Sequence, residues 1–262
     1  MNLLKILCIA IVAITQLACQ EKTAKTVEIA PAIDDKALKF AQMMVFDDMK
    51  SAALGQEAVA KEAIALKDFG IGIRTTSKEL ASSYDANEVA ADLKFKNNGF
   101  VFVAGKVEGI SKDALGKPYV SLAGHKSFFG VQARFSEKDV ISLAALTKGQ
   151  QIELVCDVSS KIVTQVILKD CLTFEEHAVK VKPAFDKNTE EALKGLKPVS
   201  ENGAEIIAFG YAAGEIFQGN ACDSGKTAKC ESELLAILVK PENQAMIKSR
   251  VEVLKAKIKV QP

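Results

Sequence analysis

From Gly99 to Cys171 the apolar residues of this chain recur at every second position, whereas on either side they recur every third or fourth. A period of two puts alternate side chains on opposite faces of a strand; a period of 3–4 gathers them on one face of a helix. The chain therefore has to combine a block of strands with helices before and after it, an α+β arrangement. In the block, Val101, Val103 and Val107 alternate with Phe100, Phe102, Lys106 and Glu108 in a first strand. A turn follows that carries Gly116, then a second strand over 118–123 and a third over 131–135. Ser136-Glu137-Lys138-Asp139 has the form of an N-cap and opens a helix that ends near Leu146 and stops at Lys148-Gly149. Ile152, Leu154 and Cys156 alternate in a fourth strand, and residues 162–171 supply a fifth.

Strand, strand, strand, helix, strand, strand is the element order of an OB fold, whose closure protects the strand edges. The expected architecture is a five-stranded OB-type β-barrel (β-β-β-α-β-β) over residues 79–175, flanked by N- and C-terminal α-helices. Residues 33–78 read as N-terminal helices packed on that barrel. Asp34 and Asp35 open the first, and Leu38, Ala41, Met44, Val45 and Met49 keep helical spacing. Gly55 breaks it; Ala58, Val59, Ala63 and Leu66 continue in a second segment that Gly70 and Gly72 end. Asp85-Ala86-Asn87-Glu88 reads as the N-cap of a further helix over 86–95. Residues 176–262 form a C-terminal helical extension. There Val179-Lys180-Val181-Lys182-Pro183 reads as a linker or edge strand, and helices are expected over 201–217, 231–239 and 241–259. Pro241 suits a first helical turn.

The N-terminus points to export. Lys5 precedes an apolar run over 6–14, followed by Thr15-Gln16-Leu17-Ala18-Cys19. One positive charge, a short apolar core and a small residue before a break are the parts of a secretory signal peptide over 1–18. The run is too short to span a bilayer, which takes about 20 residues. Leu17-Ala18-Cys19 resembles the lipobox of bacterial lipoproteins, in which the Cys receives a diacylglyceryl group. The departure is Gln16, which stands where the pattern wants an aliphatic residue. Cys19 is thus the expected lipidation site, residues 19–32 the tether, and a bacterial membrane the expected partner. Gln20 rather than Asp after the Cys points to the outer membrane, with the protein facing the periplasm. Cysteine usage agrees with that address. Beyond Cys8 and Cys19, four remain, Cys156, Cys171, Cys222 and Cys230, an even number that suits two disulfides in an oxidising compartment. Cys222 and Cys230 bracket a polar, turn-rich loop and are the first expected pair. Cys156 and Cys171 follow by remainder, yet a hairpin turning near Ser159-Ser160 sets Cys156 opposite Thr164. That bond needs a bent strand or a different pairing. The spacings do not suit zinc, only His125 and His177 could assist, and no metal or cofactor is expected.

A family resemblance lies in the same block. Tyr84 with Asn87, Ala90-Ala91, Val103-Ala104-Gly105-Lys106-Val107, Ile110, Gly116-Lys117-Pro118-Tyr119-Val120-Ser121-Leu122, Leu146-Thr147-Lys148-Gly149-Gln150 and Leu168-Lys169-Asp170-Cys171 occur in order. The segment over 80–174 resembles the tRNA_anti-like family of OB-fold proteins. The resemblance implies the OB fold and an exported bacterial context. The family carries no established ligand residues.

No nucleophile elbow, P-loop, HExxH or dinucleotide glycine fingerprint occurs. Gly124-His125-Lys126-Ser127 brings a His and a Ser together but reads as a solvated loop. Glu175-Glu176-His177 reads as a surface charge run, and Asp34-Asp35 and Asp47-Asp48 as helix-start and helix-surface charges. OB folds hold single strands by stacking bases on exposed aromatics in a basic groove. Phe100, Phe102, Tyr119, Phe128 and Phe129 are the candidate ligand-binding residues, with Lys94, Lys96, Lys106, Lys117, Lys126 and Arg134 near them in sequence. Against a stacking role, flanking helices are expected to cover the Phe face. Without Lys5 the chain carries 33 basic and 33 acidic residues, no basic excess of the kind nucleic-acid binders show. The expectation is a non-enzymatic OB-fold binding or scaffolding module for an envelope protein or a periplasmic ligand. The alternatives are a single-stranded nucleic-acid-binding protein and an envelope enzyme.

Overall fold

The computed structural model describes residues 33–261 apart from 114, 127–128, 137–142, 218–220 and 223–226. The signal segment 1–18, Cys19, the tether 19–32, Phe128 and most of the helix expected after Ser136 lie outside the described residues. The described residues combine helices with a six-stranded sheet, an α+β fold. They divide into two compact units: Leu66–Val181, and the residues up to Ala65 joined with those from Lys182 on. The N-terminal residues up to Ala65 group with the C-terminal helices.

In the first unit, β1 (Ile71–Thr76) leads through α3 (Ser77–Ala86) and α4 (Glu88–Phe95) into β2 (Phe100–Lys112). Thr76 caps α3 by accepting from the Glu79 N–H, and Asn87 ends α3 and caps α4 by accepting from the Ala90 N–H. The cap expected at Asp85 therefore falls two residues later, and α3 was not anticipated. Strands β3 (Pro118–Lys126), β4 (Phe129–Arg134), β5 (Gln151–Ile162) and β6 (Gln165–Thr173) follow. The long β2 pairs with β5 through its first half and with β3 through its second, antiparallel in both cases. The circuit continues β3–β4 antiparallel, β4–β6 parallel and β6–β5 antiparallel, so the pairings close on β2. A sixth strand stands outside that circuit: β1 lies parallel on the first half of β2, where Gly70 and Gly72 were read only as helix breakers.

Val101, Val103, Leu122, Leu154 and Leu168 point into the shared core together with Leu80 and Tyr84 of α3. The opposite face of β2 is also covered. Phe102 is fully buried with its ring edge-on to Phe174, 5.5 Å away, and Phe174 meets Phe69 at 5.3 Å. A strand buried on both faces reads as a continuous apolar run, which is why Phe100-Val101-Phe102-Val103 carries aromatics on one side and valines on the other.

The structure joins Cys156 to Cys171 and Cys222 to Cys230. The β5–β6 hairpin turns at Val163-Thr164, not at Ser159-Ser160, with Val163 in the left-handed region at φ 54°. Register shifts between Val158 and Ser160 and between Val155 and Asp157 accommodate one extra residue on each strand. Asp170 takes up the second bulge at φ 51°. The two bulges offset each other, and Cys156 arrives opposite Cys171.

Helix α5 (Phe174–Leu193) runs through the segment expected to be a linker, with Pro183 inside it. An interior Pro costs about 3 kcal/mol. Phe174, Ala178, Phe185 and Ala192 form a buried stripe at helical spacing that offsets this cost.

In the helical unit, α1 (Asp35–Ala53) is capped by Asp34, whose side chain accepts from the Ala37 N–H at 2.7 Å. The Asp34 N–H donates to the Tyr211 hydroxyl on α6 (Glu201–Ile216). Helix α6 is apolar nearly all round and buried from Ile206 to Gly214. Gly210 and Gly214 let α1 approach: a Cβ on Gly214 would lie 2.8 Å from the Ala37 Cα, and one on Gly210 3.0 Å from the Ala41 Cα. On α8 (Pro241–Lys255), which follows α7 (Ala228–Leu238), Arg250 donates to both carboxylate oxygens of Glu215 at 2.7 Å. Asp48 is a further correction. It is buried in α1, not on its surface, and accepts the Val59 and Ala60 N–H groups at 2.8 Å, pinning the loop that leads to α2 (Glu62–Asp68).

Candidate functional site

The end of the β3–β4 hairpin gathers an aromatic ring and several charges. A register shift between Leu122 and Lys126 brings Lys126 opposite Phe129. Gly124 is required there because a Cβ would collide with the Phe129 carbonyl. The Lys126 ammonium lies 5.4 Å from the Phe129 ring centre, and the Lys161 ammonium, from the end of β5, lies 6.0 Å from it. Such cation–π contacts contribute about 0.5–1 kcal/mol each at exposed sites. The His125 ring packs on Phe129 with centres 5.3 Å apart.

Helix α3 holds these groups in place. Lys161 Nζ donates to the Tyr84 carbonyl at 3.1 Å. Asp85 Oδ2 accepts from Lys126 Nζ at 2.8 Å and lies 3.1 Å from His125 Nε2. The Lys126 ammonium, and after it His125, hold the Asp85 carboxyl below the usual carboxylate range. His125 Nδ1 is buried and has no hydrogen-bond partner among the described residues. The result is a half-exposed phenyl ring flanked by two ammonium groups, one of them shared with a carboxylate. Chemically it can stack on a flat or apolar group while offering positive charge to an adjacent anion.

The sequence-derived candidates fall in different places. Phe129 lies in this patch. Phe102 is a core residue, buried against Phe174. Phe100 is partly exposed and packs edge-on against His177, 5.5 Å away. Tyr119 pairs across the hairpin with Arg134 and is partly buried. Phe128 lies outside the described residues. Of the nearby cations, Lys94 is paired with Glu79 at 3.0 Å and Lys96 with Asp92 at 2.8 Å. His177 is buried beneath Phe100, not part of a surface charge run, with Nε2 2.7 Å from the Phe69 carbonyl. Lys161, Asp85 and His125 were not anticipated. Their only sequence signal was the basic-aromatic spacing Lys126-x-x-Phe129 across a turn.

The described residues thus present a closed ring of paired strands with an aromatic–basic patch at one hairpin end. The family model described as tRNA_anti-like matches residues 1–172, well over half of the chain, and the chain belongs to that family. Among solved structures, a "putative nucleic acid-binding lipoprotein" from Klebsiella pneumoniae subsp. pneumoniae MGH 78578 is similar at 18% identity. The match covers 38% of this chain and 91% of that one, with a TM-score of 0.32. No curated protein matches the chain significantly. Among the described residues no helix is long and apolar enough to cross a membrane, and no three His, Cys, Asp or Glu side chains come together as metal ligands would.

Proposed function

We propose that the closed circuit of strands is an OB-type barrel and that the protein is a non-enzymatic binding module of the bacterial cell envelope. In this reading it is exported, held to the membrane by a lipid on Cys19, and engages an envelope protein or periplasmic ligand through the Phe129 patch. The observation that carries the binding role is the Phe129 ring within cation–π reach of the Lys126 and Lys161 ammoniums at the end of the β3–β4 hairpin. Rigid scaffolds that present chemistry at loop ends are the common form of binding modules. The strand order supports the barrel, and two disulfides support an oxidising compartment.

The same geometry favours a second reading, a single-stranded nucleic acid with a base stacked on Phe129 and phosphates near the lysines. The balance of basic and acidic residues and the Asp85 carboxylate beside Lys126 weigh against it. Labelled single-stranded DNA and RNA, titrated with the chain from Gln20 onward at low and physiological salt, separate the two. Flat anisotropy curves at both salts are expected. Tight binding that weakens steeply with salt would establish phosphate contacts and replace the first reading with the second. For the anchor, Cys19→Ser should release the protein from membranes; a full-length variant that stays membrane-bound would refute lipidation at that residue.

A further inference from the structure

At the end of the strand ring that carries the Phe129 patch, the turn between β5 and β6 leaves its apolar residues uncovered. Val163 is 84% exposed and Ile162 53%. Strand pairing sets this turn beside Phe129. Gly130 stands opposite Gln165 in the parallel β4–β6 ladder, and the Gly130 N–H donates to the Thr164 carbonyl at 3.3 Å. The ammonium of Lys161, the residue before Ile162, lies 6.0 Å from the Phe129 ring centre. Two aliphatic side chains and a partly exposed ring therefore share one tip of the strand unit.

Local folding does not account for the valine. Val163 has φ 54°, in the left-handed region that Gly and Asn enter readily and a β-branched residue does not. Strain of this kind clusters at functional positions. Exposure alone does not distinguish the tip, because Leu115, in the turn between β2 and β3 at the opposite end of β3, is 82% exposed. That other turn holds a carboxylate: Asp113 accepts the Leu115 and Lys117 N–H groups at 2.9 Å. The segment 161–165 is Lys-Ile-Val-Thr-Gln, one cation and no acid. Lys126 is paired with Asp85 and so adds little net charge. Lys161 Nζ instead donates to the uncharged Tyr84 carbonyl, and among the described residues no carboxylate pairs with it.

We infer that this tip docks on an anionic lipid surface, with Val163 and Ile162 entering the boundary between headgroups and acyl chains and the Lys161 ammonium against lipid phosphates. The assignment rests on the reading of the Phe129 patch as a binding surface and names its partner. Exposed apolar side chains beside an unneutralised cation supply the two attractions that act at such a surface, burial in the boundary and pairing with anionic headgroups. A folded protein partner asks for more. Stable protein interfaces bury roughly 800 Å² on each side, beyond what two aliphatic side chains and one partly covered ring present. A bilayer accepts a projecting tip without a matching surface.

The chain from Gln20 onward keeps every described residue and lacks Cys19, so its binding cannot come from the expected anchor. It is sedimented with vesicles of phosphatidylglycerol and phosphatidylethanolamine in equal parts, and with vesicles of phosphatidylcholine alone. Saturable binding to the anionic vesicles that weakens with salt is expected, and none to phosphatidylcholine. Lys161→Gln should weaken it about fivefold, the loss of one cation near a charged surface. Val163→Asn should weaken it about tenfold, the loss of one buried aliphatic side chain. The same variant should raise the denaturation midpoint, because Asn tolerates the left-handed turn; a binding loss through a damaged fold would lower it. Leu115→Asn should bind like the parent chain. Absence of binding to the anionic vesicles, or equal binding to both compositions, would overturn the lipid assignment and leave the patch to another ligand. Anionic-vesicle binding that Val163→Asn and Lys161→Gln leave unchanged would overturn the assignment and the choice of patch together. An equal loss in Leu115→Asn would reduce the contact to adhesion of any exposed apolar residue and overturn it as well.

Discussion

His177 couples the stability of the strand unit to pH. It sits one turn into α5, buried under the edge of Phe100, with Nε2–H donating to the Phe69 carbonyl. Desolvation by burial depresses its pKa below the usual value near 6.5, partly opposed by that hydrogen bond and reinforced by Lys180. The sign follows from linkage. The unfolded chain takes up a proton near pH 6.5, whereas the fold resists it, so stability is fully present above pH 6.5 and falls as the medium is acidified below it. Denaturant midpoints should therefore drop between about pH 6.5 and 5. In His177→Gln, which keeps a donor but cannot titrate, that drop should shrink. Equal slopes for the two proteins would show that His177 is not the group responsible. At this scale the sequence was partly legible. Phe129 stood out as an aromatic beside a basic residue, and the valines of β2 as a core face. The cover over Phe102 is the flanking helix expected there, α5. Asp48 departs from its expected surface position because the loop at Val59-Ala60 that covers it has no period of its own.

Helices α1 and α6 approach closely, and small residues make it possible. Gly210 and Gly214 on α6 meet Ala41 and Ala37 on α1, one turn apart on each helix. Gly214→Val would place a branched side chain where the Ala37 backbone and the Phe40 Cβ already lie within 3.1 Å. Overpacking of this kind costs typically 1–3 kcal/mol. The thermal midpoint should fall by several degrees, taking about 2–4 °C per kcal/mol for a chain of this size. The unit's Asp34–Tyr211 hydrogen bond should weaken with it. A midpoint within 1 °C of the parent would show that the helices can separate at little cost. Most elements were legible because caps and periodicity are local. The helix starts expected at Asp34, at Asp85, at residue 201 and at Pro241 all lie within about two residues of real ones. The failures are also local in origin. Pro183 carries a strong breaker signal that tertiary burial of Phe185 and Ala192 overrides. Strand β1 follows two glycines and carries too few apolar residues to show a two-residue period.

Across the whole molecule the division into units follows contacts between the two ends of the chain, which no local pattern reports. Helix α1 finds its partner α6 on the far side of the strand unit in sequence, so residues 33–65 and 182–261 build one unit although the strand unit separates them along the chain. The five strands of the circuit were readable because their pairings all lie within residues 101–173. The added strand β1 was not readable, because its parallel pairing with β2 is mediated by two intervening helices. This predicts how fragments should behave. A fragment 66–181 keeps β1, the Phe69–Phe174–Phe102 cluster, the Cys156–Cys171 bond and His177 with its Phe69 acceptor. A fragment 79–175 removes β1, Phe69 and His177 together. It uncovers one edge of β2 and strips Phe174 of a ring neighbour. The longer fragment should unfold cooperatively in urea, with coincident circular dichroism and tyrosine fluorescence transitions. The shorter one should lose several kcal/mol, since burial of one Phe alone contributes about 1.5–3 kcal/mol, and its transition should broaden or vanish. Equal stability of the two fragments would mean that β1 and the start of α5 decorate a self-sufficient ring. A non-cooperative 66–181 fragment would mean that the strand unit depends on the helices outside it.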